Sequence, residues 1–261
     1  MNPVLEQIHS HRSARKFKSD PVPPELLERI LAAGLRASSS GNMQSYSVIV
    51  TSDPALRREL YAPHFEQSMV LEAPLFLTFC ADFHRMRLWL AQNEAPLNFD
   101  NFMSFMIATI DATLASQNVA LAAESEGLGL CYMGTTLASC REIARILRCP
   151  SHVVPVVGFA LGYADESGPV RDRLPLSGVV HRETYSDYAA GDIEAVYRER
   201  ETAGWKRYMD MPDLRSSIEK VGAKNLAQIY TKAKYTRESH VEYSRNVLAC
   251  LTEQGFFEHG P

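Results

Sequence analysis

Two arginines, a histidine and a serine stand within five residues near the start of the sequence, His11-Arg12-Ser13-Ala14-Arg15. A guanidinium group presents a planar fork of donors that binds two oxygens of a phosphate or carboxylate at once. The serine hydroxyl and the imidazole add further hydrogen-bonding groups. The segment predicts an anion-binding site, and the alternative is a solvated charged turn between two helices.

A second polar segment contains small residues, Ser38-Ser39-Ser40-Gly41-Asn42, followed at a short distance by Gln44. Small side chains allow backbone amides to approach a flat ring or a phosphate closely, and the glutamine amide is able to pair with the edge of a heterocycle. The segment therefore predicts a ligand-binding loop. A plain surface loop is the alternative.

A third candidate is the pair Arg171 and Arg173, which follows the last strand-like run of the sequence. Residues two apart in an extended segment project from the same face of the backbone, so two such arginines are able to bind one phosphate. Solvated loop arginines are the alternative.

Several common site types find no support in the sequence. It lacks the glycine-rich motifs of dinucleotide and phosphate loops, the H-E-x-x-H motif of zinc proteases and the G-x-S-x-G motif of hydrolases. The five cysteines never form a C-x-x-C pair, and the histidines have no partner at metal-ligand spacing, so we expect no disulfide framework and no metal site.

Composition indicates an ordinary globular chain of 261 residues, 46% hydrophobic and 22% charged. The formal charge of -4 argues against a general nucleic-acid-binding protein. The sequence has no signal-peptide pattern at its start and no stretch of about 18 uncharged apolar residues. We therefore expect a cytoplasmic protein that binds neither nucleic acid nor membrane.

The elements that would position these residues are predicted by periodicity and by breakers. Helical spacing predicts helices over 3–11, from Pro24 to about Ser38, over 54–61, and, with a capping box at Ser139 and Glu142, over 140–147. The β-branched or continuous apolar runs predict four strands, 48–50, 75–80, 131–134 and 153–161, with the first two adjacent.

The segment 102–126 is long and rich in Ala, Met, Leu and Ile, but Asp111, Gln117 and Asn118 interrupt it, so we expect a central helix rather than a membrane span. Strands alternate with helices, which favours an α/β or α+β class. No linker divides the chain, and the polar segment after Tyr185 has the character of an arm.

Four motifs occur together in one order: His11-Arg12-Ser13-x-Arg15-x-Phe17, the Ser38 to Gln44 segment, Gly127-Leu128-Gly129-x-Cys131-Tyr132-Met133-Gly134, and Arg171-x-Arg173-Leu174-Pro175. In this the chain resembles the FMN-dependent nitroreductase family, especially its oxygen-insensitive NADPH nitroreductase and NADPH-flavin oxidoreductase group. The resemblance covers essentially the whole chain.

The resemblance implies an α+β fold in which helices flank a central, mixed but mainly antiparallel sheet, with a long central helix at the interface of a homodimer. It implies one domain, 1–261, with an FMN-binding core over 1–188 and a helical arm over 189–261. It also implies hydride transfer from NADPH or NADH through FMN to quinones, nitroaromatics or other small-molecule acceptors, with no catalytic side chain beyond a role for Arg15 near N1 of the flavin. The implied FMN contacts are His11, Arg12, Ser13, Arg15, Ser39, Ser40, Gln44, Gln67, Tyr132, Met133, Gly134, Arg171 and Arg173.

The chain departs in two places from the proteins that it resembles. Thr135 and Thr136 stand where a second glycine is usual, and Arg171 stands in place of a lysine. The threonines either narrow the space beside the flavin or add a hydroxyl to it. Three alternatives therefore stay open: a non-catalytic FMN-binding dimer for storage or sensing, an NADPH-dependent flavin reductase, and an interaction module without cofactor.

A preference for NADPH would need cations in the arm, and the candidates are Lys220, Lys224, Lys232, Lys234 and Arg237.

Overall fold

A computed structural model describes residues 2–166 and 168–259. Their contacts form two compact units, one of Met1–Pro169 with Tyr243–Pro261 and the other of Val170–Glu242. The boundaries therefore lie at 170 and 243, whereas the resemblance implied a division at 189. Whether the chain folds as a single domain stays a prediction.

The first unit contains a four-stranded sheet in the order β1-β2-β4-β3. The strands are β1 Tyr46–Thr51, β2 Leu75–Asp82, β3 Gly129–Tyr132 and β4 Val153–Gly162. Each pairing among the described residues is antiparallel, so the sheet is not mixed there. The predicted adjacency of the first two strands is confirmed, since Val48 pairs with Phe79. With its flanking helices the unit is α+β, as predicted.

The helices follow the predicted order, with short additions between them. They are α1 Pro3–Ser10, α2 Pro24–Gly34, α3 Pro54–Tyr61, α4 Met69–Glu72, α5 His84–Gln92, α6 Phe102–Ser125, α7 Thr135–Ala138, α8 Cys140–Ile146, α9 Asp192–Met209, α10 Pro212–Lys220, α11 Leu226–Ile229 and α12 Arg237–Glu253.

Two local predictions were wrong. Helix α2 ends at Gly34, four residues before Ser38. A Cβ atom on Gly34 would lie 2.4 Å from Val119 Cγ2, so the glycine is where α2 comes closest to α6. Ser139 precedes α8 but makes no side-chain capping bond, so the capping box does not form even though the helix does.

The central helix α6 begins at the cap Asn101, whose side chain accepts a hydrogen bond from Ser104 N. It packs on α2, β2 and β4, and five of its six alanines are buried in the core of the first unit. Its length and apolar composition would also suit a membrane span, but a helix buried in the core of a protein has the same length and composition. On another face, Met103 and Ile110 are 66% and 54% exposed.

The second unit is helical and has a small core of its own. Its buried residues are Val196, Gly204, Ile218, Leu226 and Ile229. After α11 the chain continues as one π-helical turn, Tyr230–Lys234. This core is sparse, which agrees with the weak apolar pattern of the sequence beyond Tyr185.

Candidate flavin site

The arginine-rich segment is fixed along the edge of the sheet. Ala14 N donates to Leu130 O over 2.9 Å, Lys18 N donates to Tyr163 O over 2.9 Å, and Phe17 bridges to Ala164. Ala14 is buried, and a Cβ atom on Gly129 would lie 2.7 Å from its Cβ. Only glycine at the start of β3 allows this approach. The backbone that carries Arg12 and Arg15 is therefore held at Ala14 and again at Phe17 and Lys18.

Both guanidinium groups are exposed, and among the described residues neither has a carboxylate partner. Arg12 Nε donates only weakly to a backbone oxygen, Ser10 O, over 3.4 Å. Burial raises the pKa of the Cys131 thiol and the positive charge of Arg15 opposes that rise, which locates Arg15 beside β3. Ser13 is half-buried between the two arginines.

Arg12 lines a cavity of about 260 Å³ together with two carboxylates, Glu124 and Glu166. Glu124 Oε1 lies 2.6 Å from His11 Nδ1, and Glu166 lies 3.2 Å from Lys16 Nζ. Both acids are therefore engaged by other side chains, and Arg12 has no carboxylate partner among the described residues. His11 orders the segment by pairing with the C-terminal part of α6, rather than pointing freely toward an anion.

The serine loop is organised by a carboxylate that sequence reasoning did not identify as part of the site. Asp111 lies in α6 and is 1% exposed. Its Oδ2 accepts from Ser39 Oγ over 2.6 Å, from Ser45 Oγ over 2.9 Å and from Ser45 N over 3.3 Å, and its Oδ1 accepts from Ser40 N over 3.0 Å. Buried carboxylates need such partners, and this one gathers both ends of the loop. The available signal was an acid in an otherwise apolar helix.

The loop itself turns through left-handed conformations. Gly41, Asn42 and Gln44 have φ angles of 56°, 56° and 51°. Ser39 Oγ also accepts from Gln44 N over 2.7 Å, so one hydroxyl links Asp111 to the last strained residue. The side chain of Gln44 makes only long contacts to Asn42, of 3.4 and 3.5 Å, and remains exposed. It is thus available to a ligand.

The turn after β3 is anchored by its backbone and by the Tyr132 ring. Met133 N donates to Gly158 O over 2.8 Å, and Met133 is buried. The Tyr132 hydroxyl lies 3.1 Å from Ser116 Oγ, and burial raises the pKa of this phenol. A Cβ atom on Gly134 would meet nothing within 4 Å, so the surface above the turn is open.

Gln67 lies close to this turn through its neighbour His64. Gln67 Nε2 donates to His64 O over 3.0 Å, and His64 Nδ1 lies 2.8 Å from Thr135 Oγ1. Thr135 and Thr136 are both buried, and the Thr136 hydroxyl is directed toward the space that a Cβ on Gly158 would occupy, at 2.6 Å. Both threonine hydroxyls therefore point into the protein and not over Gly134.

Arg171 and Arg173 belong to the second unit. The Arg173 guanidinium donates to the backbone oxygens of Arg171 and Asp172, over 3.3 and 3.0 Å. Asp172 between them pairs with Arg200 and Arg207, at 3.0 and 3.6 Å. That these two arginines share one phosphate with Arg12 and Arg15 stays a prediction.

The first unit fits FMN in donor type and in shape. A phosphate needs cations without acidic partners, and Arg12 and Arg15 are such cations. A flat ring needs an open backbone surface with few side chains, which Gly134 provides. Within the described ranges, no group of three His, Cys, Asp or Glu side chains is arranged to hold a metal ion.

Comparison with known proteins shows which family the chain resembles. The model of the nitroreductase family matches residues 8–163. The chain is 35% identical over 188 residues to FMN reductase (NADPH) of Bacillus subtilis, covering 71% of this chain and 76% of that protein. It is also 35% identical over 185 residues to the oxygen-insensitive NADPH nitroreductase of Salmonella typhimurium, covering 71% and 75%.

The fold comparison extends over nearly the whole length. The crystal structure of nitroreductase A from Vibrio parahaemolyticus superposes with a TM-score of 0.82 at 30% identity, covering 99% of both chains. The matched segment 8–163 contains the arginine cluster, the serine loop and the turn after β3. This chain belongs to the nitroreductase family.

Proposed function

We propose that the protein is an FMN-dependent oxidoreductase that takes hydride from NAD(P)H, with NADPH as the preferred donor, and reduces quinones, nitroaromatics or related acceptors. The observation that carries the proposal is the pair of unpaired guanidinium groups, Arg12 and Arg15, on a rigid segment that runs along β3, the strand that leads into the open turn at Gly134. The names of the relatives, a flavin reductase and a nitroreductase that both use NADPH, support the same reaction.

When bound, FMN would supply the redox chemistry, a two-electron transfer from NAD(P)H to the acceptor in two half-reactions of ping-pong type. The side chains of the protein would bind the cofactor and orient it. Arg12, Arg15 and Ser13 would hold the phosphate, with His11 ordering that segment through Glu124. Ser39, Ser40 and Gln44 would lie against the ring on the loop that Asp111 fixes.

Arg15 has a further proposed role at the flavin N1 position. A guanidinium there stabilises the negative charge of the reduced cofactor, and a charge-assisted hydrogen bond contributes on the order of 1.5 to 3 kcal/mol. Arg15→Ala should then lower the flavin reduction potential and weaken FMN binding. Arg36→Ala, which removes an exposed arginine of the α2 region, is the control. If Arg15→Ala leaves both quantities unchanged, the role is refuted.

The first test of the function is spectroscopic. The purified protein, reconstituted with FMN, should show flavin absorption that bleaches on anaerobic addition of NADPH and returns on titration with benzoquinone. Flavin absorption that NADPH never bleaches would instead favour the storage or sensing protein. Failure to take up FMN would refute the assignment.

The geometry of the threonines bears on the storage alternative. That alternative requires Thr135 and Thr136 to close the acceptor side of the flavin, yet both side chains are buried and directed away from the open surface at Gly134. An acceptor site remains open in consequence. NADPH-dependent flavin reduction is the second candidate function, favoured by the name of the Bacillus subtilis relative. Comparing free FMN with benzoquinone as acceptor separates the two activities.

We also propose that the protein is a homodimer formed around α6. Met103, Met106, Ile110 and Leu114 lie on one face of this helix at spacings of three and four residues, and all are exposed. Helix α1, which contacts α6, adds exposed Val4 and Ile8. Exposed apolar side chains of this number on one helix face are typical of interfaces between subunits. A monomer at micromolar concentration in light scattering would refute the dimer.

The NADPH preference is proposed to depend on cations of the second unit. Lys234 Nζ lies 4.7 Å from the centre of the Tyr208 ring, and Arg207 lies 5.3 Å from the same ring. Lys220, Lys224, Lys232 and Arg237 are exposed. The double variant Lys232→Ala with Lys234→Ala should lower kcat/KM for NADPH more than for NADH. An unchanged ratio of the two kcat/KM values would exclude these two lysines as determinants of the preference.

A cytoplasmic location also stays an expectation.

A further inference from the structure

One buried hydrogen bond joins the two turns that carry proposed flavin contacts in the first unit. His64 Nδ1 and Thr135 Oγ1 lie 2.8 Å apart, although 71 residues separate them in the sequence. His64 precedes Gln67, and Thr135 follows Gly134 directly. The bond therefore links the segment that carries Gln67, an FMN contact implied by the resemblance, to the open turn at Gly134.

The segment between His64 and Gln67 contains two residues in the left-handed conformation. Phe65 and Glu66 have φ angles of 57° and 54°, and neither is glycine. Residues other than glycine adopt the left-handed conformation at a cost of about 1 to 2 kcal/mol each, so neighbouring contacts must hold them in it. The backbone oxygen of His64 accepts from Gln67 Nε2 over 3.0 Å, which orients the glutamine side chain.

The imidazole is held from several sides. His64 is fully buried, and its ring lies 4.7 Å from the ring of Phe76 in β2. Its other nitrogen, Nε2, is buried and has no hydrogen-bond partner in the described structure. The Thr135 hydroxyl is thus the polar contact that sets the ring orientation, and losing it would leave the ring with an unpaired atom on each side.

We infer that His64 and Thr135 form a latch that positions Gln67 relative to the Gly134 turn and thereby sets how FMN is bound. The inference depends on the proposed function, since it takes Gln67 and Gly134 to be flavin contacts. Both residues are positioning residues, because neither side chain reaches the open surface.

The test is a thermodynamic cycle on FMN affinity, measured by quenching of flavin fluorescence. Thr135→Val removes the hydroxyl at constant shape, Gln67→Ala removes the positioned side chain, and the double variant combines them. Thr51→Val is the matched control, since Thr51 is 2% exposed and its hydroxyl has no partner. Thr135→Ser keeps the hydroxyl and should rescue.

Loss of one hydrogen bond corresponds to a factor of about 2 to 13 in an equilibrium constant, so Thr135→Val should raise the FMN Kd about 3- to 10-fold. The double variant should bind FMN no more weakly than Gln67→Ala alone, because the latch acts through Gln67. Thr135→Val should lower Tm in either case, because it leaves His64 Nδ1 unpaired in the core, but a merely structural role would leave Kd unchanged or give effects on Kd that multiply. Thr135→Gly provides a second variant if Thr135→Val does not fold.

The outcomes separate the inference from the proposed function. Wild-type protein that binds FMN, together with an unchanged Kd for Thr135→Val or multiplying effects, would overturn only the latch. Wild-type protein that takes up no FMN would overturn the proposed function itself.

Discussion

Replacing Asp111 by alanine is expected to destabilise the protein strongly and to release the serine loop. The change removes the acceptors of four hydrogen bonds, two from the hydroxyls of Ser39 and Ser45 and two from the backbone N–H groups of Ser40 and Ser45. The hydroxyls are able to rotate to other acceptors. The backbone groups are fixed, and Ser45 is itself 1% exposed.

The magnitude follows from the fixed donors. The Ser45 N–H left without a partner in its buried site costs about 1 to 3 kcal/mol in the free energy of unfolding, whereas the Ser40 N–H, on an exposed residue, is able to bond to water instead. A loss of about 1 to 3 kcal/mol is a substantial part of the stability of a typical domain, about 5 to 15 kcal/mol. Because Ser39 also holds Gln44, FMN affinity should fall as well.

The assay is urea unfolding of the apoprotein at constant pH, with linear extrapolation to water. Ser125→Ala is the control, because Ser125 lies at the exposed end of the same helix and should change stability by less than about 0.5 kcal/mol. An Asp111→Ala variant as stable as this control would refute the view that the carboxylate organises the loop.

Three further changes test separate features. Burial lowers the pKa of His64 from 6.5 to about 4, so that as the pH falls the unfolded chain binds the proton before the folded chain does. The free energy of unfolding should therefore decrease by about 3 kcal/mol between pH 6.5 and pH 4, and His64→Phe should flatten that part of the pH profile measured by urea unfolding. Gly162→Ala would place a Cβ atom 2.4 Å from the rigid ring of Pro74 and should lower the stability measured by thermal unfolding by about 1 to 3 kcal/mol. Gly134→Ala should leave the stability of the apoprotein unchanged but weaken FMN binding, and equal effects of the two variants would be inconsistent with this geometry. Ile110→Glu should yield a monomer in light scattering, and a persisting dimer would exclude the α6 face as the interface.

Local patterns in the sequence were sufficient for the elements and for the family. The prolines at 3, 24 and 54 begin helices that the apolar spacing predicted, and the runs at 75–80 and 153–161 are central strands buried along most of their length. These features depend on neighbours along the chain, which the sequence displays directly. The motif order that indicated a nitroreductase is local in the same sense.

The contacts that make the site were decided by packing between distant segments. His11 meets Glu124 across 113 residues, Ser39 meets Asp111 across 72 and His64 meets Thr135 across 71. Hydrogen-bonding capacity alone does not choose among such partners. Asp111 was read as an interruption of an apolar helix, and Ser139 as a cap that does not form. Only the fold, by burying these groups and leaving each with few polar neighbours, determined which pairs form.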